Sequence, residues 1–245
     1  MGLLDFFFGK KKTNTSKPQL NIQNQAKRNS TSTATTKSSP FLATKQEGVK
    51  TFDVKKLQGV DLGGGFTLVP LDMGFLGDEK FPIFATLAHG TPNIAKWLPG
   101  FDLSTPESAV KYLRACVLRT EMGLGFTYLI KMRGGIIGMI FVNTPSYNET
   151  TIGFPHWSID FFLIGMAQGQ GLMPKLLLGF FFYLKNVLNI SEIYSIVDSR
   201  NLQCLSMLDK CMFIQKRSDM VFTDPTTGNK AIAFCCNLQN LKNMF

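Results

Sequence analysis

The stretch GMAQGQGLMPKLL, Gly165 to Leu177, sets three glycines and two glutamines directly ahead of an apolar run that reads as a helix. A helix that opens just after a glycine-rich turn presents unpaired backbone N–H groups and the positive end of its dipole, so such a stretch can cradle a phosphate or pyrophosphate. Two familiar nucleotide loops are disfavoured. No Gly-Lys-Ser/Thr follows, as a Walker loop requires, and Pro174 stands where the third glycine of a dinucleotide fingerprint would fall. Just upstream, HWSIDFFLI (His156 to Ile164) reads as a strand, whose alternation puts His156, Ser158 and Asp160 on one face. The five cysteines, Cys116, Cys204, Cys211, Cys235 and Cys236, form no C-x-x-C pair. With two histidines in the whole chain, no metal site is expected.

The elements that must position these residues follow from periodicity and punctuation. Beyond a glycine hinge at Gly63 to Gly65, FTLVPLD (Phe66 to Asp72) predicts a strand and the segment around Pro82 to His89 a helix. Thr105 as cap, Pro106 at the first helical position and Glu107 in the first turn predict a helix running to about Met122. GFTYLIKM (Gly125 to Met132) and IIGMIFVN (Ile136 to Asn143) predict a hairpin across the turn RGG, followed by a polar loop from Thr144 to Thr151. After the strand that carries Asp160 come a helix from Leu172 to about Val187, a strand at Ser191 to Asp198 and a helix at Asn201 to Cys211. Two strands, near Phe213 to Phe222 and Ala231 to Asn237, close the order across the turn DPTTGN. LLLGFFFYL (Leu176 to Leu184) is apolar nearly all round yet too short to span a membrane, which predicts a core helix that also meets a second subunit.

At 245 residues the chain has room for one core of ordinary domain size and an appendage. Its formal net charge of +9 is uneven. Up to Lys55 there are 10 Lys/Arg against 3 Asp/Glu, and beyond it 16 against 14, so the tail is basic and the body nearly neutral. The body therefore lacks the electrostatic footprint of a nucleic-acid binder. The absence of a secretory pattern and the cysteine usage predict a cytoplasmic protein. Residues 1–12, MGLLDFFFGKKK, place Leu3, Leu4, Phe7 and Phe8 on one helical face beside Lys10, Lys11 and Lys12, which suits a short helix lying on an anionic membrane surface. Position 6 is Phe, so the myristoylation pattern fails. This segment resembles the amino-terminal membrane-targeting helix of MinE, the bacterial division topological specificity factor. Residues 13–55, with runs such as NSTSTATTKSSP, read as a flexible linker, and 56–245 as the folded domain.

That domain resembles the GNAT family of acyl-CoA-dependent N-acyltransferases, and within it the ribosomal-protein N-terminal acetyltransferase (Rim) branch. SIDFFLIGMAQGQGLM, VDSRNLQCLSMLDKCMF and KWLPG carry the likeness, over roughly Phe66 to Leu238. The resemblance implies a mixed α/β fold with a central, mostly antiparallel sheet flanked by helices, acetyl-CoA as co-substrate, and a primary amine as acceptor. It implies that the coenzyme's pyrophosphate lies on backbone N–H groups of Gln168, Gly169, Gln170, Gly171, Leu172 and Met173. The pantetheine arm would pair with backbone at Phe162, Leu163 and Ile164, and Asn201 would contact the arm.

Three departures accompany it. Where the family has a serine to protonate the leaving thiolate stands Cys204; where relatives often show a glutamate stands Ser158, with Asp160 at a glycine position; and a glycine is replaced by Met212, read here as packing. Within that reading, Asp160 or His156 would act as general base, directly or through a water. The departures leave a rival expectation, an idle GNAT domain that binds coenzyme A or a partner at the membrane. A third expectation is acylation of aminoacyl-tRNA, visible as tail-dependent, salt-sensitive RNA binding.

Overall fold

The computed structural model describes residues 52–241 apart from 92, 93, 99, 100, 102, 103 and 224–227. The segment 1–12 and nearly all of the linker lie outside the described residues. Among the described residues eight strands form one sheet: β1 (Val60–Gly63), β2 (Phe66–Pro70), β3 (Gly125–Met132), β4 (Gly135–Asn143), β5 (Ser158–Leu163), β6 (Glu192–Asp198), β7 (Gln215–Thr223) and β8 (Lys230–Asn237). They lie in the order β1-β2-β3-β4-β5-β6-β8-β7, antiparallel throughout except between β5 and β6. The helices are α1 (Phe81–His89), α2 (Ile94–Trp97), α3 (Pro106–Glu121), α4 (Pro145–Ile152), α5 (Leu172–Asn186) and α6 (Leu202–Asp209). Among the described residues no helix is long and apolar enough to cross a membrane.

Local chemistry accounts for most boundaries. The β3–β4 turn holds Arg133 and Gly134 at φ 48° and 82°, the left-handed pair that a tight two-residue hairpin requires. Arg133 N–H donates to Gly65 O at 2.8 Å, joining this turn to the one between β1 and β2. The glycines read as a hinge are therefore a hairpin turn. The extra strand β1 escaped notice because VDLG is too short to show alternation. α4 occupies the segment expected to be a polar loop. Thr144 caps it, Pro145 opens it and Gly153 closes it at φ 66°, while Asn148 is its one buried residue, so the capping signals were present without an apolar stripe.

The core has two layers around the sheet. On one face Phe141 and Phe162 meet α1, α3 and the segment before α3, with Phe84 6.2 Å and Phe101 4.8 Å from Phe162, and Tyr112 6.3 Å from Phe141. On the other, Tyr128 meets Phe180 and Tyr183 of α5 at 5.1 and 5.9 Å. α5 buries Met173, Leu176, Leu177, Phe180, Phe181, Tyr183 and Leu184, and Leu172, Leu178 and Phe182 are partly buried against the same core. The apolar surround that predicted a subunit contact is thus largely covered within this chain. Phe52, counted by composition with the linker, packs 4.9 Å from Phe126. Tyr183 Oη donates to Lys56 O at 2.9 Å and accepts from Gln58 N–H at 3.2 Å, and Tyr128 Oη lies 3.0 Å from Gln58 O. Phe52 therefore packs on the body, while Asp53, Val54 and Lys55 are exposed.

Candidate active site

The parallel strands β5 and β6 share one bridging pair, Ser158 with Tyr194, where Tyr194 N–H donates to Trp157 O at 2.9 Å. Beyond it they diverge, and the gap opens into a cavity of about 520 Å³. Asp160, Phe162 and Leu163 line it from β5, Ser195 to Asp198 from β6, Gln168, Gly169 and Gly171 from the glycine loop, Leu172 and Met173 from α5, Asn201 and Cys204 from α6, and Trp97 from α2. Ten of the fourteen residues singled out from sequence therefore border one cavity, whereas His156, Ser158, Ile164 and Gln170 do not.

The glycine loop has the form of an anion cradle. Gly169 and Gly171 sit at φ 73° and 66°, where L side chains are strained, and a Cβ on either would point into open space. Gly171 caps α5 without a side chain, which leaves the first N–H groups of the helix facing outward. Gln168 N–H is spent on Gly165 O at 3.1 Å, so the donors that remain run from Gly169 to Met173. The two glutamines brace the loop: Gln168 Nε2 donates to Leu163 O at 2.7 Å and Gln170 Nε2 to Met166 O at 2.6 Å.

Strand register refines the expected backbone contacts. Ile164 N–H donates to Ile137 O at 2.9 Å, toward β4. Because successive residues of a strand point their N–H and C=O groups to opposite sides, Phe162 and Ile164 are both engaged with β4, and the edge facing the gap belongs to Phe161 and Leu163. Leu163 O is held by Gln168, so Leu163 N–H and the backbone of Phe161 are what a ligand in the gap can meet. Phe161 was overlooked because apolar patterning reports side chains, and the backbone edge needs a register.

Asp160 is the titratable group of β5 on the cavity wall. Its Oδ2 accepts from Asn143 Nδ2 at 3.3 Å, and Asn143 Oδ1 accepts from the buried Arg119 Nη1 at 2.7 Å. Burial raises the Asp160 carboxyl above its ordinary value, against the downward pull of the Arg119 charge and the Asn143 hydrogen bond. Ser158 is buried, with its Oγ among Asn143 Nδ2 at 3.1 Å and Asn148 Nδ2 at 3.0 Å. His156 precedes β5, so alternation no longer governs it; its ring lies 4.6 Å from Phe154 and 5.0 Å from Tyr194. Sequence reasoning missed Arg119 and Asn143. The available signal was an arginine one turn beyond Cys116 on the apolar face of α3.

On α6, Asn201 Oδ1 caps the helix by accepting from Cys204 N–H at 3.2 Å, which leaves its amide N–H groups for the gap. The Cys204 thiol is pushed up to about 12, first by burial and then by the Asp160 charge and Cys211, so it stays protonated at neutral pH. Met212 is 98% exposed, which corrects its reading as a packing residue; its neighbours Cys211 and Phe213 turn inward in its place. Trp97 at the cavity edge has Lys96 Nζ 4.3 Å and Arg200 Cζ 5.9 Å from its ring.

The family profile of the acetyltransferase (GNAT) domain matches residues 78–214. The chain belongs to the GNAT acetyltransferase family, and the enzyme class its motifs implied, an acyl-CoA-dependent acetyltransferase, is the class this family defines. Among solved structures it is similar to RimL, a ribosomal-protein alpha-N-acetyltransferase in complex with coenzyme A, at 14% identity and TM-score 0.58 over 73% of this chain and 97% of that one. RimJ of Mycobacterium smegmatis in complex with CoA-disulfide is similar at 11% identity and TM-score 0.59 over 76% and 90%. AAC(6')-Ib, in complex with parmomycin and acetyl-CoA, is similar at 20% identity and TM-score 0.54 over 71% and 94%. At these identities the likeness is one of fold. A comparison with curated protein sequences gives no significant match.

Proposed function

We propose that this chain is an N-acetyltransferase that moves an acetyl group from acetyl-CoA to a primary amine, on a protein N-terminus or a small molecule. The observation that carries the reading is the one cavity shared by an anion cradle and a carboxylate: Gly169, Gly171, Leu172 and Met173 at one end and Asp160 on the β5 wall. The cradle suits a pyrophosphate, the exposed backbone of Phe161 and Leu163 suits an amide-bearing arm, and Asp160 suits removal of a proton from an ammonium or from a bridging water. Cys204 retains its proton and can donate it to the departing thiolate. Holding amine and thioester side by side in one cavity supplies a large share of the acceleration by itself. Calorimetric titration of acetyl-CoA into the full chain and into Gly171→Glu, followed by thiol release with a panel of amines, tests the reading. Binding lost in the variant together with amine-dependent thiol release supports it. Binding without turnover on any amine would favour the idle, coenzyme-binding module instead, the reading motivated by Cys204.

The same proposal places the enzyme at the inner face of a membrane, through residues 1–12. The support is in sequence alone: four apolar residues on one helical face beside three consecutive lysines. Full-length protein should cosediment with anionic vesicles and lose that binding in Phe7→Glu; equal behaviour of the two would remove the anchor.

A further inference from the structure

Arg119 is 9% exposed, and its Nε and Nη2 atoms are buried without a hydrogen-bond partner among the described residues. A buried guanidinium with two unmatched nitrogens is an expensive thing to keep in a core, and aliphatic residues fill such positions more stably. The fold nevertheless makes room for it. Gly125 lies where a Cβ would stand 3.2 Å from Arg119 Nε and press on Val142 O, and the guanidinium rests 5.4 Å from the centre of the Tyr147 ring. Its one recorded hydrogen bond leads to Asn143, and Asn143 leads to Asp160. The charge on α3 is thus joined to the carboxylate on β5 through an amide on β4.

We propose that Arg119 and Asn143 are positioning residues for Asp160: the Asn143 amide fixes Oδ2, leaving Oδ1 to the cavity, and the Arg119 charge keeps the carboxylate ionised in an apolar wall. The inference rests on the reading of Asp160 as the group that receives the amine proton. The groups facing Asp160 are Arg119 and Tyr112 on α3, with Cys116 beside Tyr112, Asn143 on β4 and Cys204 on α6. Burial holds Tyr112, Cys116 and Cys204 protonated, so Arg119 is the charged member of this set at neutral pH. An uncharged scaffold would hold Asp160 equally still; the charge is what a merely structural role does not need.

The test is a carboxyl NMR titration of the full chain labelled with 13C-carboxyl aspartate, the Asp160 signal being the one that vanishes in Asp160→Asn. Arg119→Met should move the Asp160 midpoint upward by about one pH unit, a tenfold tighter hold on the proton, while Arg119→Lys stays near the parent. Asn143→Ala should shift it in the same direction, and it decides the matter alone if Arg119→Met fails to fold. The acid limb of acetyl transfer from acetyl-CoA to a peptide with a free N-terminus should shift in parallel. A midpoint unmoved in both Arg119→Met and Asn143→Ala overturns the proposal. If Asp160→Asn transfers acetyl at the parental rate while the titration shifts appear, the coupling stands and the assignment of Asp160 as proton acceptor falls.

Discussion

At the scale of single residues, Asp160 sets a conflict between chemistry and stability. Its folded-state pKa is raised, so the native chain holds the proton more tightly than the unfolded chain does. Ionisation therefore costs stability, and the cost grows as pH rises above the ordinary aspartate value of about 4. Asp160→Asn, whose amide oxygen can still accept from Asn143, should gain melting temperature relative to the parent, and by more at pH 7 than at pH 4. The same variant should lose about 10²- to 10⁴-fold in kcat/KM, the usual worth of a positioned general base. A stability difference independent of pH would remove the electrostatic account. For Cys204, a thiol held near 12 is a reluctant acid. A serine hydroxyl is no stronger an acid but a far better hydrogen-bond donor than a thiol, so Cys204→Ser should transfer acetyl at least as fast as the parent and Cys204→Ala more slowly, read as thiol release at saturating acetyl-CoA.

At the scale of elements, the closeness of β4 and β5 fixes the gap. Gly138 lies so near Phe162 O that a Cβ there would overlap it, with Leu163 Cδ2 2.9 Å away. Gly138→Ala should push β5 toward β6, cost about 1–3 kcal/mol by overpacking, and weaken acetyl-CoA binding more than a substitution on the far side of α5. Calorimetry beside thermal melts checks this, and an unchanged affinity would mean the strand spacing does not shape the cavity. Elements were largely legible in the sequence because caps and alternation act locally: Thr105, Pro106 and the loop before α5 announced themselves. α4 was hidden although its start resembles that of α3, because its faces carry no stripe, and β1 was hidden because four residues cannot show a period. The site was legible as far as it is local in the chain. Asp160, Cys204 and the glycine loop could be named, whereas Arg119, Asn143 and the outward edge of Phe161 depend on which strand lies beside which.

At the scale of the whole molecule, the sheet is two parts, β1 to β5 and β6 to β8, that meet at one bridging pair within the sheet. A ligand seated in the gap touches both parts and binds the folded chain alone, so acetyl-CoA at 100 times its Kd should add about 2.7 kcal/mol of stability. The protection of backbone amides against exchange should rise most at Phe161, Leu163 and the facing residues of β6. Uniform protection across the sheet would mean that the halves are already locked together without ligand. The basic tail and near-neutral body were readable from composition, since charge placement needs no fold, but the hinge-like joint in the sheet was not.

The phenols of Tyr128 and Tyr183 fasten residues 56–58 to the middle of the sheet, on the face opposite Asp160. Mechanically, this is where tension on the chain's leading end enters the body. A pull applied through Phe52 would load its ring contacts with Phe126 and Trp157 first and the Tyr183 and Tyr128 phenols next, ahead of any strand of the sheet.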